Sequence, residues 1–177
     1  MQETGTSSSA SNSALLPEFA TAFASEILST EELRGDVTYV VKPQRIREMI
    51  RFLKSFERCP FNVMMDLFAM DYLKTAEEMP ERFAVIYNLY SLPSNARVRL
   101  KAFVSEEKPT IESIHDLYKA ANWFEREAWD LYGIDFSGHP HLQRILCHNE
   151  FVGHPLRKDY PSDQYQRLKN PTRSAGL

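Results

Sequence analysis

Cysteine is scarce in this chain, with two residues, Cys59 and Cys147, among 177. Two isolated thiols exclude a disulfide scaffold and suit a reducing compartment. They also cannot supply the four thiolates of an ordinary iron–sulfur cluster, so no such cluster is expected in this chain alone. Glycine is also sparse. The six residues Gly5, Gly35, Gly133, Gly138, Gly153 and Gly176 form neither a dinucleotide fingerprint nor a P-loop, which leaves no recognisable nucleotide cradle. No window approaches the roughly 20 apolar residues of a spanning helix. The start, MQETGTSSSASNS, lacks both a basic region and an apolar run, so a secretory signal is not expected. Strong charge of one sign is missing too. A net charge of −3 and a pI near 6.0 are those of a soluble protein without a bias toward nucleic acid or an anionic bilayer, which leaves open an indirect contact with a membrane through another subunit.

A hydrophobic content of 43% with 12% aromatics is enough for one folded domain. The Ser/Thr/Ala/Asn tract near the start buries too little apolar surface to offset its ordering entropy, which predicts a disordered tail over 1–14. An α+β domain is expected over 15–134 and an extended, partner-wrapping arm over 135–177. Pro17 and the spacing of Phe19, Ala20, Phe23 and Ile27 predict a short first helix. The β-branched run 36–41 reads as a strand, and Pro43 opens a helix to about Phe56 with Ile46, Met49, Ile50 and Leu53 on one face. Further strands are predicted at 62–72, 82–92 and 95–104, the last two joined by turn chemistry at Pro93, Ser94 and Asn95. In the last, Ala96, Val98, Leu100, Ala102 and Val104 face one way and Arg97, Arg99 and Lys101 the other. The fold class that follows is α+β: a mixed, mainly antiparallel four-stranded sheet with helices packed on it and a long irregular C-terminal arm.

The stretch 123–159 concentrates the chemistry, with four of the five histidines, one cysteine and a tight basic cluster. A third helix is expected to begin at Ser113, capped by its hydroxyl with Asp116 completing a capping box, and to end at Gly133. Ile114, Leu117, Ala121, Phe124, Ala128 and Leu131 form its inward stripe, while Lys119, Trp123, Glu127 and Asp130 line a second face. Arg126 and Asp130 stand four apart, at pairing distance. Glu125, Arg126, Glu127 and Asp130 offer carboxylates for acid/base work or, alternatively, a solvated helical face. Trp123 and Trp129 beside these charges have the composition of a protein–protein contact, or else belong to the core. No nucleophile–base–orienter set stands out.

Beyond Asp135 the periodic patterns fade and prolines punctuate the chain, and 139–177 carries six Lys or Arg against three acids. Such a segment must find partners for its backbone groups, either on another protein or on its own sheet. His139, His141, Cys147, His148 and His154 have the ligand types of a zinc site, although their spacings match no closed finger or zincin helix, which favours reading them as hydrogen-bonding surface groups. On the zinc reading the chain is a stand-alone metal-dependent hydrolase using His139, His141, Cys147 and Glu127. Arg157, Lys158 and Asp159, after His154 and Pro155, form a charged knot suited to pinning the arm on an acidic patch.

Glu125-Arg126-Glu127, two residues, Asp130, Leu131 and Tyr132, then His139, Ile145 and Leu146, resembles the signature of the NuoC family, the C subunits of proton-translocating NADH:quinone oxidoreductase, respiratory complex I. The following stretch 153–161, GHPLRKDYP, is similar to the block this family carries just downstream, and the two blocks cover about a fifth of the chain. One departure is Gln143, where the family usually has Arg, Lys or Pro, which leaves Arg144 to serve alone. The resemblance implies a subunit of the peripheral arm without a redox centre, packed against the large quinone-site subunit on the cytoplasmic side of the bacterial inner membrane. FMN and iron–sulfur clusters would then reside in partner subunits, and the complex would pass electrons from NADH to quinone. A related subunit of a membrane-bound hydrogenase or ferredoxin-linked complex is the alternative within the same resemblance. The interface residues it implies here are Trp123, Glu125, Arg126, Glu127, Asp130, His139, Pro140, Arg144, His154, Pro155, Arg157, Lys158 and Asp159.

Overall fold

A computed structural model describes residues 16–76, 78–163 and 166. The expected disordered tail over 1–14 lies outside them, as does the last part of the arm. The elements are α1 (Pro17–Ala22), β1 (Ile27–Leu33), β2 (Asp36–Val41), α2 (Ile46–Ser55), β3 (Val63–Asp71), β4 (Phe83–Ser91), β5 (Ala96–Val104), β6 (Thr110–Glu112), α3 (Ala121–Tyr132) and β7 (Asp135–Ser137). The main sheet has five strands in the order β1-β2-β5-β4-β3, antiparallel except for the β2–β5 pair. The fold is therefore the expected α+β class with one more strand than expected.

The extra strand is β1, an edge strand whose side chains from Leu28 onward are all exposed. With no buried face it carries no alternating hydrophobic pattern to read. Ile27, expected to close the first helix, instead opens this strand, although its N–H still bonds the Phe23 carbonyl at 3.0 Å. A two-residue loop of Arg34 and Gly35, both with positive φ, turns β1 into β2, as the twist of a tight hairpin requires.

Strand register explains the core. Across the sheet, Tyr39, Leu100, Tyr87 and Leu67 form one row and Val41, Ala102, Val85 and Ala69 the next, all facing α2 and α3. Ile46, Met49, Ile50 and Leu53 of α2 are fully buried against it, as the periodicity predicts. Each such side chain contributes about 1.5–3 kcal/mol on leaving water. On the opposite face Val40, Ala84, Ile86 and Phe103 form a smaller apolar cluster beside Tyr72 and Met79.

The third helix starts at Ala121 and not at Ser113. Ser113 N–H bonds the Ser137 carbonyl, which continues the parallel β6–β7 ladder, and the Ser113 hydroxyl points into the core. The carbonyls of Ser113 and Leu117 accept from Arg47 and Lys54 of α2, so the backbone between β6 and α3 is satisfied by tertiary bonds and has no need of a longer helix.

Candidate functional site

α3 carries two carboxylates that are fully buried, Glu125 and Asp130, both 0% exposed. The solvated-face reading fails for them, because each has found donors elsewhere in the chain. Near the start of the helix, Glu125 accepts the Ser113 hydroxyl at 2.5 Å and the Ile114 N–H at 2.7 Å. His139 Nε2 stands 4.0 Å from it. Burial pushes the Glu125 carboxyl up to about 7, against the downward pull of the two donors. His139 holds the next layer. Its Nε2–H donates to the Asn122 carbonyl at 3.2 Å, its Nδ1 accepts the His141 N–H at 3.1 Å, and burial lowers its pKa.

At the far end of α3, Asp130 Oδ2 accepts three successive amides, Ile145, Leu146 and Cys147, at 3.0, 2.9 and 2.9 Å. Oδ1 accepts Arg144 at 2.5 Å. Burial alone would raise this carboxyl, but the three amides and the guanidinium together bring it down to about 2. The expected Arg126–Asp130 pair is not formed. Arg126 reaches instead to the carbonyls of Gln143 and Arg144, both at 3.1 Å, and lies over the Trp123 ring.

The segment after β7 folds back over this helix end as a strap. The last carbonyls of a helix lack intrahelical donors and carry partial negative charge. Here His154 donates Nδ1–H to the Asp130 carbonyl at 2.9 Å, Leu156 N–H to Leu131 at 3.1 Å, and Arg157 Nε–H to Tyr132 at 2.6 Å. Arg144 holds the strap to itself, donating to the carbonyls of Phe151 at 2.8 Å and Gly153 at 3.0 Å between the rings of Trp129 and Phe151. Gly133 ends the helix with φ of 75°, and a Cβ there would lie 2.6 Å from both His154 and Arg157. The glycine is needed for the turn and for the close approach alike.

A second clasp ties the strap to the sheet. Arg82, at the start of β4, meets Asp71 at 2.9 Å, Glu106 at 2.5 Å and Asp159 at 2.6 Å, and its guanidinium lies over Phe83. Asp71 also accepts the Lys158 N–H at 2.8 Å. Burial raises the Asp71 carboxyl, and the Arg82 bonds with the Lys158 and Leu73 amides more than reverse that.

The sequence-predicted residues therefore divide. Glu125, Asp130, Arg126, His139, Arg144, His154, Arg157 and Asp159 are joined to the chain's own helix, strap and sheet. Trp123, at 60% exposure, with Glu127, Pro140 and Lys158, stays on the surface, and Pro155 is half-buried. Of the five residues considered as a zinc set, His139 accepts the His141 N–H, Cys147 and His154 both bond Asp130, and the His148 ring stacks edge-on against Phe151; among the described residues no group of three His, Cys, Asp or Glu is placed to share an ion. Ser113, Asp71 and Arg82 carry no sequence signal as site residues. Only the β3–β4 register, which pairs Asp71 with Phe83, brings the last two together.

A profile of the family described as "Respiratory-chain NADH dehydrogenase, 30 Kd subunit" matches residues 39–166. The chain is 47% identical over 139 residues to the C subunit of NADH-quinone oxidoreductase of Geotalea uraniireducens, covering 78% of this chain and 81% of that one. The chain belongs to this family. NADH-ubiquinone oxidoreductase subunit 9 of Reclinomonas americana is 43% identical over 136 residues, 77% of this chain and 64% of that relative. Among solved structures, a trypsin-resistant fragment of Nqo5 superposes with a TM-score of 0.66 at 34% identity, over 74% of this chain and 99% of the fragment. A chain of an archaeal membrane-bound sulfane sulfur reductase superposes with a TM-score of 0.70 over 90% of this chain and 97% of its own, at 20% identity, a likeness of fold alone. In this member of the NADH dehydrogenase family Arg126, Asp130, His139 and Arg144 of the signature bond the strap to α3, Glu125 ties α3 to the segment before it, and Trp123 and Glu127 lie exposed beside these positions.

Proposed function

We propose that this chain is a non-redox structural subunit of the peripheral arm of a proton-translocating NADH:quinone oxidoreductase. It docks against the large quinone-site subunit on the cytoplasmic side of the bacterial inner membrane. FMN and iron–sulfur clusters lie in partner subunits, and the complex carries electrons from NADH through them to quinone. The observation that carries this reading is the division of the signature. Its buried charges hold the strap on α3, and the surface so built presents Trp123, Leu146, Val152 and Leu156, all large and apolar and all exposed. Exposed aromatics and aliphatics on a locked backbone favour a permanent partner over solvent. No helix among the described residues is long and apolar enough to cross a membrane, so the proposed attachment runs through other subunits.

The alternative, the equivalent place in a hydrogenase or ferredoxin-linked complex, is kept because the fold is not confined to NADH-linked complexes: a chain of a membrane-bound sulfane sulfur reductase shares it. Sequence favours the NADH-linked complex, to whose C subunits the identity reaches 47%. A tagged copy expressed in its own cell and purified from detergent-solubilised membranes tests the proposal. The expected result is recovery of the large quinone-site subunit and the NADH-oxidising subunits with it. Recovery of hydrogenase subunits would move the chain to the alternative complex, and recovery of the tagged chain by itself would overturn both.

A further inference from the structure

We infer that a cleft on the face of the sheet away from α3 is a second docking site, which takes an acidic side chain from a neighbouring subunit. This inference rests on the assignment to a multi-subunit complex. Along β5, Val98 and Leu100 turn into the core, so Arg97, Arg99 and Lys101 share the outer face. Register sets Asp66 of β3, Asn88 of β4, Arg99 and Thr38 of β2 in one row across that face. The two halves of the face differ. Toward Phe103 the chain covers itself, with Tyr72 and Met79 packed on Val40, Ala84, Ile86 and Phe103, and with the Lys101 ammonium over the Tyr72 and Phe103 rings. Around Arg99 a cleft of about 310 Å³ is left, with Asp36, Met65, Asp66, Asn88, Arg97 and Arg99 in its wall.

The bonding of Arg99 sets it apart. Among the partly buried arginines, Arg45, Arg47, Arg82 and Arg144 meet carboxylates, while Arg126 and Arg157 meet carbonyls of the strap and of α3. Arg99 meets two neutral side chains, donating Nε–H to Asn88 Oδ1 at 2.8 Å and Nη1–H to Thr38 Oγ1 at 3.5 Å, and its Nη2 has no partner among the described residues. Arg97 lies over the Tyr90 ring at 5.4 Å, and the Tyr90 hydroxyl is itself tied to Asn95 at 2.8 Å. Two guanidinium groups are thus held in place without a counter-charge, and a carboxylate fits their forks. The rest of the cleft selects the source of that carboxylate. Asp36 and Asp66 stand on either side of the arginine pair and join no ion pair among the described residues, so they oppose a phosphate or any other multiply charged free anion. Apolar side chains flank the cleft, Met65 at 50% exposure, Phe68 at 36% and Val63 at 37%, and a small anion would leave them in water. A protein segment satisfies both, with an Asp or Glu against Arg97 and Arg99 and apolar neighbours against Met65 and Phe68.

Site-specific photo-cross-linking tests this. A photo-reactive phenylalanine analogue is placed at Met65 of the tagged full chain in its own cell, and the cross-linked peptide is mapped in the purified complex. The expected product joins Met65 to one segment of one neighbouring subunit, with an Asp or Glu among its apolar residues. Arg97→Glu, at an exposed position, should leave thermal unfolding of the chain unchanged and lower the yield of that product about tenfold, and exchanging the mapped acid for Lys should restore it. A cross-link to the chain's own residues, to a segment without an acid, or to no subunit while the chain is in the complex would overturn the docking site and leave the subunit assignment standing. Wild-type yield in Arg97→Glu would overturn it as well. Absence of the chain from the complex would overturn both.

Discussion

Two carboxylates five positions apart on α3 have opposite titration behaviour because their donors differ in number and charge. The folded Glu125 carboxyl titrates near 7 against an ordinary 4.5, so the folded state holds more protons across that window. Stability contributed by this group therefore falls as pH rises from 4.5 to about 7, by on the order of 3 kcal/mol in total. Glu125→Gln should remove that slope from denaturant midpoints measured across the window, and an unchanged slope would show that another group carries it. Asp130 is the reverse case, at about 2 against 3.8, and its contribution is present above 3.8 and is lost as pH falls toward 2. Asp130→Asn leaves three strap amides facing a weaker acceptor and Arg144 without its charge partner. A loss of about 3 kcal/mol is expected in urea unfolding. The reading of these residues as a solvated face follows from their polarity, and the i,i+4 rule pairs Arg126 with Asp130. A distant Arg144 with three amides outbids a local pair once the carboxylate is buried, because buried charge requires several strong donors.

Among elements, the joint between α3 and the strap is the most sensitive. Gly133→Ala would put a Cβ 2.6 Å from His154 and Arg157 and force a left-handed backbone on alanine. A loss of about 1–2 kcal/mol from the backbone is expected, with more from displacement of the strap. Limited proteolysis should then cut within 140–160 in the variant well before it does so in the wild type. Arg144→Lys keeps the charge and loses the fork that serves Asp130, Phe151 and Gly153 together, and it should open the strap similarly. The helices and strands themselves are legible in the sequence where one face is buried. α2 and the β3–β4–β5 meander follow their periodicities, and the turn at Pro93, Ser94 and Asn95 places Asn95 at φ 48° as its chemistry suggests. β1, β6 and β7 are not legible, because an exposed edge and two three-residue strands bury too few side chains to leave a pattern.

For the whole molecule, the body and the strap form one unit through the Arg82 clasp, in which a single guanidinium joins β3, β4, the β5–β6 loop and the strap. Arg82→Ala should release the strap from the sheet while leaving α3 capped, lowering the unfolding temperature by several degrees, an effect of about 1–3 kcal/mol. The sequence by itself determined the class of fold, the helical and strand cores, the stop at Gly133 and the family, since these rest on local periodicity and on short motifs. Only the tertiary structure decided what the motif residues do. Glu125, Asp130, Arg144, His154 and Arg157 could as well have faced a partner, and their spacing does not say otherwise. Apart from the Ser113 hydroxyl on Glu125 and the Asp130–Arg144 pair, their partners are backbone amides and carbonyls, which no sequence pattern marks, so the direction of those bonds became visible only with the chain folded.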